Sequence, residues 1–188
     1  MSRLQVLVHR PRRTLAALAT VLVAVGVTAA SGADFSATSA NPSNTFATGT
    51  LAISNSAENA AVFTTASGMK PGDTRTGTVD IGNTGSLSGA FTLTRGTLTN
   101  TGGANLATQL TLTVVDCGTF SGASAPTCDA GDPQKYSGLL SAMGSAVALG
   151  TFAGGEKHRY EFRVQMASSA GNEYQGTSSE TTFTWDAA

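Results

Sequence analysis

Residues 69–95, MKPGDTRTGTVDIGNTGSLSGAFTLTR, constrain the fold of this chain more than any other stretch, because turn and strand signals alternate in it. Lys70-Pro71-Gly72-Asp73 is a turn. Pro71 presets φ for the second turn position, and Gly72 accepts the positive φ that a type II turn requires next. Two strands follow. In the first, Gly77, Val79 and Ile81 face one way and Thr76, Thr78 and Asp80 the other; in the second, Phe91, Leu93 and Arg95 alternate with Ala90, Thr92 and Thr94. Asn83-Thr84-Gly85-Ser86 with Gly89 links them. The pattern predicts an antiparallel hairpin with one apolar face and no group poised for chemistry.

The remaining chain repeats this logic. Residues 46–53 (FATGTLAI) predict a first strand after the turn cluster Asn41-Pro42-Ser43-Asn44, and Val62-Phe63 continues the apolar material. Strict alternation in residues 109–115 (QLTLTVV) puts Leu110, Leu112 and Val114 on one face. Residues 152–156 form a second Gly turn with an acidic residue. It leads into residues 160–166 (YEFRVQM), where Tyr160, Phe162, Val164 and Met166 face inward. Phe183 and Trp185 share a face near the end. Tyr136, Leu139, Leu140, Met143 and Val147 recur at helical spacing, which predicts one short helix over 134–143 that ends near Gly144. About seven to nine strands separated by turns, with that helix, make an all-β antiparallel β-sandwich.

Export is read from the start of the chain. Residues 1–33 have the form of a secretory signal peptide: Arg3, Arg10, Arg12 and Arg13, an uncharged run over 14–30, then Ser31-Gly32-Ala33. Cleavage there leaves no stable membrane span, an extended N-terminal segment over 34–48, and a sandwich domain over 49–188. Arg12-Arg13 also raises the twin-arginine route. Only 12% of residues are charged, and the formal net charge of -1 includes those four arginines. Without them seven basic residues face twelve acidic ones. An acidic surface lacks the basic face that nucleic acid requires. Cys117 and Cys128 close a Gly-, Ser- and Pro-containing loop, and a disulfide between them fits an oxidising, extracellular or cell-surface location. Such a bridge removes roughly 3 kcal/mol of unfolded-state entropy in the chain-entropy account.

Motifs for catalysis are missing from the sequence. It has no HExxH zinc motif, no GxSxG nucleophile elbow and no Gly-rich phosphate loop after a buried strand. His158, the single histidine after the signal segment, is expected at the surface without a catalytic role. Asp116, Asp129 and Asp132 cluster around the Cys loop as weak Ca²⁺ candidates, better read as solvated loop charges. No cofactor and no enzymatic activity are expected. The sequence ends at Ala187-Ala188 directly after a strand, without a wall-sorting signal.

Several pieces in order carry a resemblance: Phe35, then NTFATGTL over 44–51, MKPGD over 69–73, NTGSL over 83–87, and Tyr174-Gln175-Gly176 ahead of Phe183-Thr184-Trp185. Together they resemble the TasA/camelysin family of exported bacterial proteins. The resemblance implies a jelly-roll sandwich, processing by a dedicated signal peptidase, and self-association into extracellular fibres of a biofilm matrix, with other matrix components as further partners. It also implies that the mature N-terminal segment of one subunit completes a sheet of the next. Here that donor strand maps to Asp34, Phe35, Ser36, Ala37, Thr38, Ser39 and Ala40. Two alternatives stand beside it. One is a camelysin-like secreted metalloprotease, against which the missing zinc motif counts; the other is an immunoglobulin-like surface adhesion module, since PGDTxTGTVxIxNTG also occurs in such domains.

Overall fold

The computed structural model describes residues 47–64 and 66–188, together with Leu15. The signal segment over 1–33, the donor residues Asp34 to Ala40 and the turn at Asn41 to Asn44 lie outside the described residues. So does Phe46, where the first strand is expected to start.

Residues 47–188 form one unit of two facing antiparallel sheets. The larger contains β1 (Ile53–Asn55), β2 (Thr74–Asn83), β5 (Leu110–Phe120), β6 (Gln134–Leu139) and β8 (Lys157–Met166), in the spatial order β1-β2-β8-β5-β6. The smaller contains β3 (Gly89–Arg95), β7 (Val147–Phe152) and β10 (Phe183–Ala187), ordered β10-β3-β7. A short pair, β4 (Thr99–Thr101) with β9 (Ser178–Glu180), stands apart. The inner rows are those set by alternation: Val79 and Ile81 on β2, Leu110, Leu112 and Val114 on β5, and Tyr160, Phe162, Val164 and Met166 on β8. Phe91, Leu93, Leu149 and Phe152 close the core from the other sheet. Burial of each large apolar side chain stabilises the fold by roughly 1.5–3 kcal/mol, and Phe91 stacks on Phe152 with ring centres 4.1 Å apart.

The two sheets make an antiparallel β-sandwich. In the smaller sheet β10 is an edge strand, and no strand among the described residues pairs with its outer side.

Two equivalent turns clamp the central β2–β8 pair. In the first, Gly72 has φ +89°, the Asp73 N–H donates to the Lys70 carbonyl at 2.9 Å, and the Asp73 carboxylate accepts the Lys70 N–H at 3.0 Å. In the second, Gly155 has φ +83°, the Glu156 N–H donates to the Ala153 carbonyl at 3.0 Å, and the Glu156 carboxylate accepts the Ala153 N–H at 2.6 Å. Each turn also bonds the far end of the opposite strand. Gly72 and Asp73 exchange backbone hydrogen bonds with Met166, as Gly155 and Glu156 do with Asn83.

Three expectations are corrected. The strands of residues 69–95 do not form a hairpin: β2 pairs with β1 and β8, and β3 with β10 and β7, so the intervening loop crosses from one sheet to the other. Asn83 organises that crossing. Its buried amide donates to the carbonyls of Leu87 at 2.7 Å and Phe152 at 3.2 Å and accepts the Gly85 N–H at 3.0 Å. Thr84, Ser86 and Leu87 spend their backbone N–H groups on the carbonyls of Thr50 and Ala52 instead of on a neighbouring turn. The first strand is accordingly reduced to Ile53–Asn55. Finally, the helix over 134–143 is strand β6 followed by a single 3-10 turn, Leu140–Ala142. The helical spacing of its apolar residues came from Leu140 and Met143 reaching the core from a turn while Leu139 stays 42% exposed.

Candidate functional site

The inward row of β8 does not stop at Tyr160. The same parity carries His158 onto the inner face, and the row Leu110, Leu112, Val114 on β5 carries Asp116 there likewise. Between Asp116 and Thr119 the β5–β8 register shifts, so Cys117 and Gly118 form a bulge opposite β8. Gly118 takes φ +102° and donates its N–H to Asp116 Oδ1 at 3.0 Å. Bulges of this kind re-aim side chains next to them.

The result is a charged cluster at one end of the core. His158 Nδ1 sits 2.9 Å from Asp116 Oδ1, and Nε2 sits 3.1 Å from Glu156 Oε1. Lys135 Nζ reaches Asp116 Oδ2 at 3.3 Å and donates to the Leu149 carbonyl at 2.8 Å, tying β6 to β7 across the two sheets. The Phe152 ring stacks on the imidazole with centres 4.3 Å apart. The expected surface position of His158 is therefore corrected: its side chain is only 14% exposed.

Burial alone would lower the His158 pKa. The hydrogen bond and charge of Asp116, followed by those of Glu156, outweigh burial and hold it above the ordinary histidine value. For Asp116 burial acts in the raising direction, but the hydrogen bonds to His158, Gly118 and Lys135 and the His158 charge hold it below the usual carboxylate range. The Tyr160 hydroxyl is pushed up by burial and then by the Asp116 and Glu156 charges, and it has no hydrogen-bond partner among the described residues. Both imidazole nitrogens face carboxylates, which favours the protonated ring. A general base needs a lone pair turned toward a substrate, and this geometry offers none. The cluster is a clamp between strands.

The other sequence-derived site residues separate. Cys117 and Cys128 are disulfide-bonded. Asp116 is committed to the clamp, and Asp132 accepts the Asp129 N–H at 2.7 Å in a loop turn. The three aspartates thus do not converge, and among the described residues no group of three His, Cys, Asp or Glu is placed to hold a metal ion. Glu156, Lys135 and Tyr160 were not singled out as a set from sequence. Parity with the inward rows of β5 and β8 is the signal that marks Asp116 and His158; Lys135 has no such signal, because it sits at an irregularity in the β5–β6 ladder.

A cavity of about 580 Å³ opens at the opposite end of β2. Phe63, Met69, Leu106, Leu140 and Met166 form its apolar wall, and Asn172, Gln175 and Ser178 are among its polar lining residues. Among the described residues no charged side chain lines it. Compared with protein-family models and with characterised proteins, the chain matches none.

Proposed function

We propose that this chain is a secreted structural subunit that assembles into extracellular fibres, its N-terminal segment completing a sheet of the next subunit. The observation that carries this reading is the outer edge of β10 in the smaller sheet, with which no described strand pairs. An open sheet edge takes up an extended segment through main-chain hydrogen bonds. When donor and acceptor lie on different parts of the subunit, the contact is heterologous and propagates. A disulfide-bonded sandwich is suited to an oxidising exterior, and the resemblance to the TasA/camelysin family points the same way.

The test is electron microscopy of the secreted, processed protein at rising concentration and mildly acidic pH, beside the same protein lacking residues 34–40. Filaments are expected from the first alone. Filaments of the same diameter from the truncated protein would sink the donor-strand reading. Chelator-sensitive cleavage of casein by the purified protein would replace it with a peptidase.

A further inference from the structure

We infer that the cavity at the end of β2 far from His158 is a binding site for a small neutral amphiphile, its alkyl body seated on the apolar wall and an amide-like head group held at Asn172 and Gln175. The site is separate from any fibre contact, and its occupation does not depend on assembly.

The walls are set by bonds of the fold itself. Met69 and Met166 come to the same wall because the Gly72 N–H donates to the Met166 carbonyl at 3.0 Å and the Met166 N–H donates to the Asp73 carbonyl at 2.9 Å. Phe63 is braced edge-on by Phe162, with ring centres 6.4 Å apart. Leu106 stands on the 3-10 turn Leu106–Thr108, and the Ala167 N–H donates to the Gln109 carbonyl just beyond it at 2.8 Å. The Gln109 side-chain amide in turn donates to the Tyr174 hydroxyl at 3.2 Å. Small-molecule sites are largely pre-formed, mostly apolar and roughly 300–1,000 Å³ in volume, and about 580 Å³ falls within that range. Phe63, Met69 and Leu106 pack against the core yet stay only half-buried. An apolar occupant covers what the sandwich leaves open here.

The polar side of the cavity selects the head group. Over residues 172–179 the hydroxyls are already committed: Thr177 donates to the Tyr174 carbonyl at 2.7 Å, Ser178 bonds Thr101 at 2.6 Å, and Ser179 donates to Asn100. The two amides are not. Gln175 Nε2 donates to Asn172 Oδ1 at 3.2 Å, which leaves Asn172 Nδ2 and Gln175 Oε1 without a partner among the described residues. Reversing both amides leaves one NH₂ and one C=O open in the same way. A donor beside an acceptor complements a carboxamide, whose C=O accepts and whose N–H donates. A carboxylate offers acceptors only. It would also find no cation, because no charged side chain among the described residues lines the cavity, and an unpaired charge is costly to bury.

The test uses the secreted chain with two probes of equal chain length, octanamide and octanoate, at neutral pH. Titration calorimetry should show one saturable octanamide site per chain, with octanoate roughly tenfold weaker or worse. Methyl NMR locates the site without any variant: the Met69 and Met166 methyl signals should shift on adding octanamide, while Met143, buried in the core and absent from the lining, stays in place. Asn172→Ala and Gln175→Ala should each weaken octanamide by about tenfold and leave octanoate unchanged, which narrows the gap between the probes. Met69→Trp, which fills the cavity, should abolish binding of both, with circular dichroism and thermal melts confirming the fold. No octanamide binding to the wild type, or methyl shifts that spare Met69 and Met166, would overturn the site. Equal affinity for the two probes, or amide variants that bind octanamide as the wild type does, would overturn the assignment of a neutral, amide-like ligand.

Discussion

Nδ1 of His158 lies 2.9 Å from one carboxylate oxygen of Asp116 and 3.1 Å from the other, inside a sheet-on-sheet core and not in a solvated loop. Two strands separated by 42 positions in the chain are thereby joined by a charge-assisted bond.

The sign of the pH dependence follows. His158 has a raised pKa, so its contribution is fully present below its unfolded value near 6.5 and is lost as pH rises through the folded value. Asp116 has a lowered pKa, so its contribution is present above about 3.8 and is lost as pH falls through the folded value. The two overlap between those limits. Urea midpoints measured from pH 4 to 9 should decline on the alkaline side for wild type, and His158→Asn should flatten that decline, with about 2 kcal/mol less stability than wild type at pH 6. An unchanged alkaline limb in the variant would rule out the clamp.

Asp116→Ala removes the acceptor shared by His158, Lys135 and the Gly118 amide. It leaves buried positive charge partly uncompensated, at a cost of roughly 3 kcal/mol. A double-mutant cycle with His158→Asn should give coupling well above 0.5 kcal/mol.

Asn83→Leu tests the crossover between sheets. The substitution orphans the carbonyls of Leu87 and Phe152 and the Gly85 N–H, each at roughly 1–3 kcal/mol when buried. Chemical denaturation should show a loss of about 3 kcal/mol, larger than for a neutral exposed site such as Thr84→Ala.

Gly77→Ala probes the close approach of the loop over β2. A Cβ there would meet the Val62 carbonyl, so the backbone around Val62 must move. Overpacking of this kind costs about 1–3 kcal/mol, and faster amide exchange over residues 56–64 is the accompanying signature.

Reduction of the Cys117–Cys128 bridge frees the loop next to the Asp116 bulge. The melting temperature should fall in dithiothreitol by the equivalent of about 3 kcal/mol. Cys117→Ser with Cys128→Ser should melt at the reduced value with or without reductant.

Period-two alternation made the inner faces legible. Val79 and Ile81, Leu110 to Val114, and Tyr160 to Met166 lie inward as their parity requires, because a strand's two faces are fixed by covalent geometry alone. The turns at Gly72 and Gly155 were legible for the same local reason: only a residue without a Cβ takes a positive φ without strain. Parity also ran on to Asp116 and His158, but polar side chains at the end of an apolar row look like strand ends when partners are unknown. The helix expected over 134–143 misled because the five apolar residues from Tyr136 to Val147 fit a helix or a strand followed by a tight turn equally well.

The sequence by itself determined an all-β chain, its strand faces and its turn chemistry, since each depends on neighbours within a few residues. Only the tertiary structure decided which strands share a sheet, that β2 and β3 part company at Asn83, and that β10 keeps an edge no described strand covers. Pairing is a choice among distant partners, settled by the total apolar surface buried between two sheets and by the demand that every buried polar group find a partner. Neither quantity is carried by any one segment.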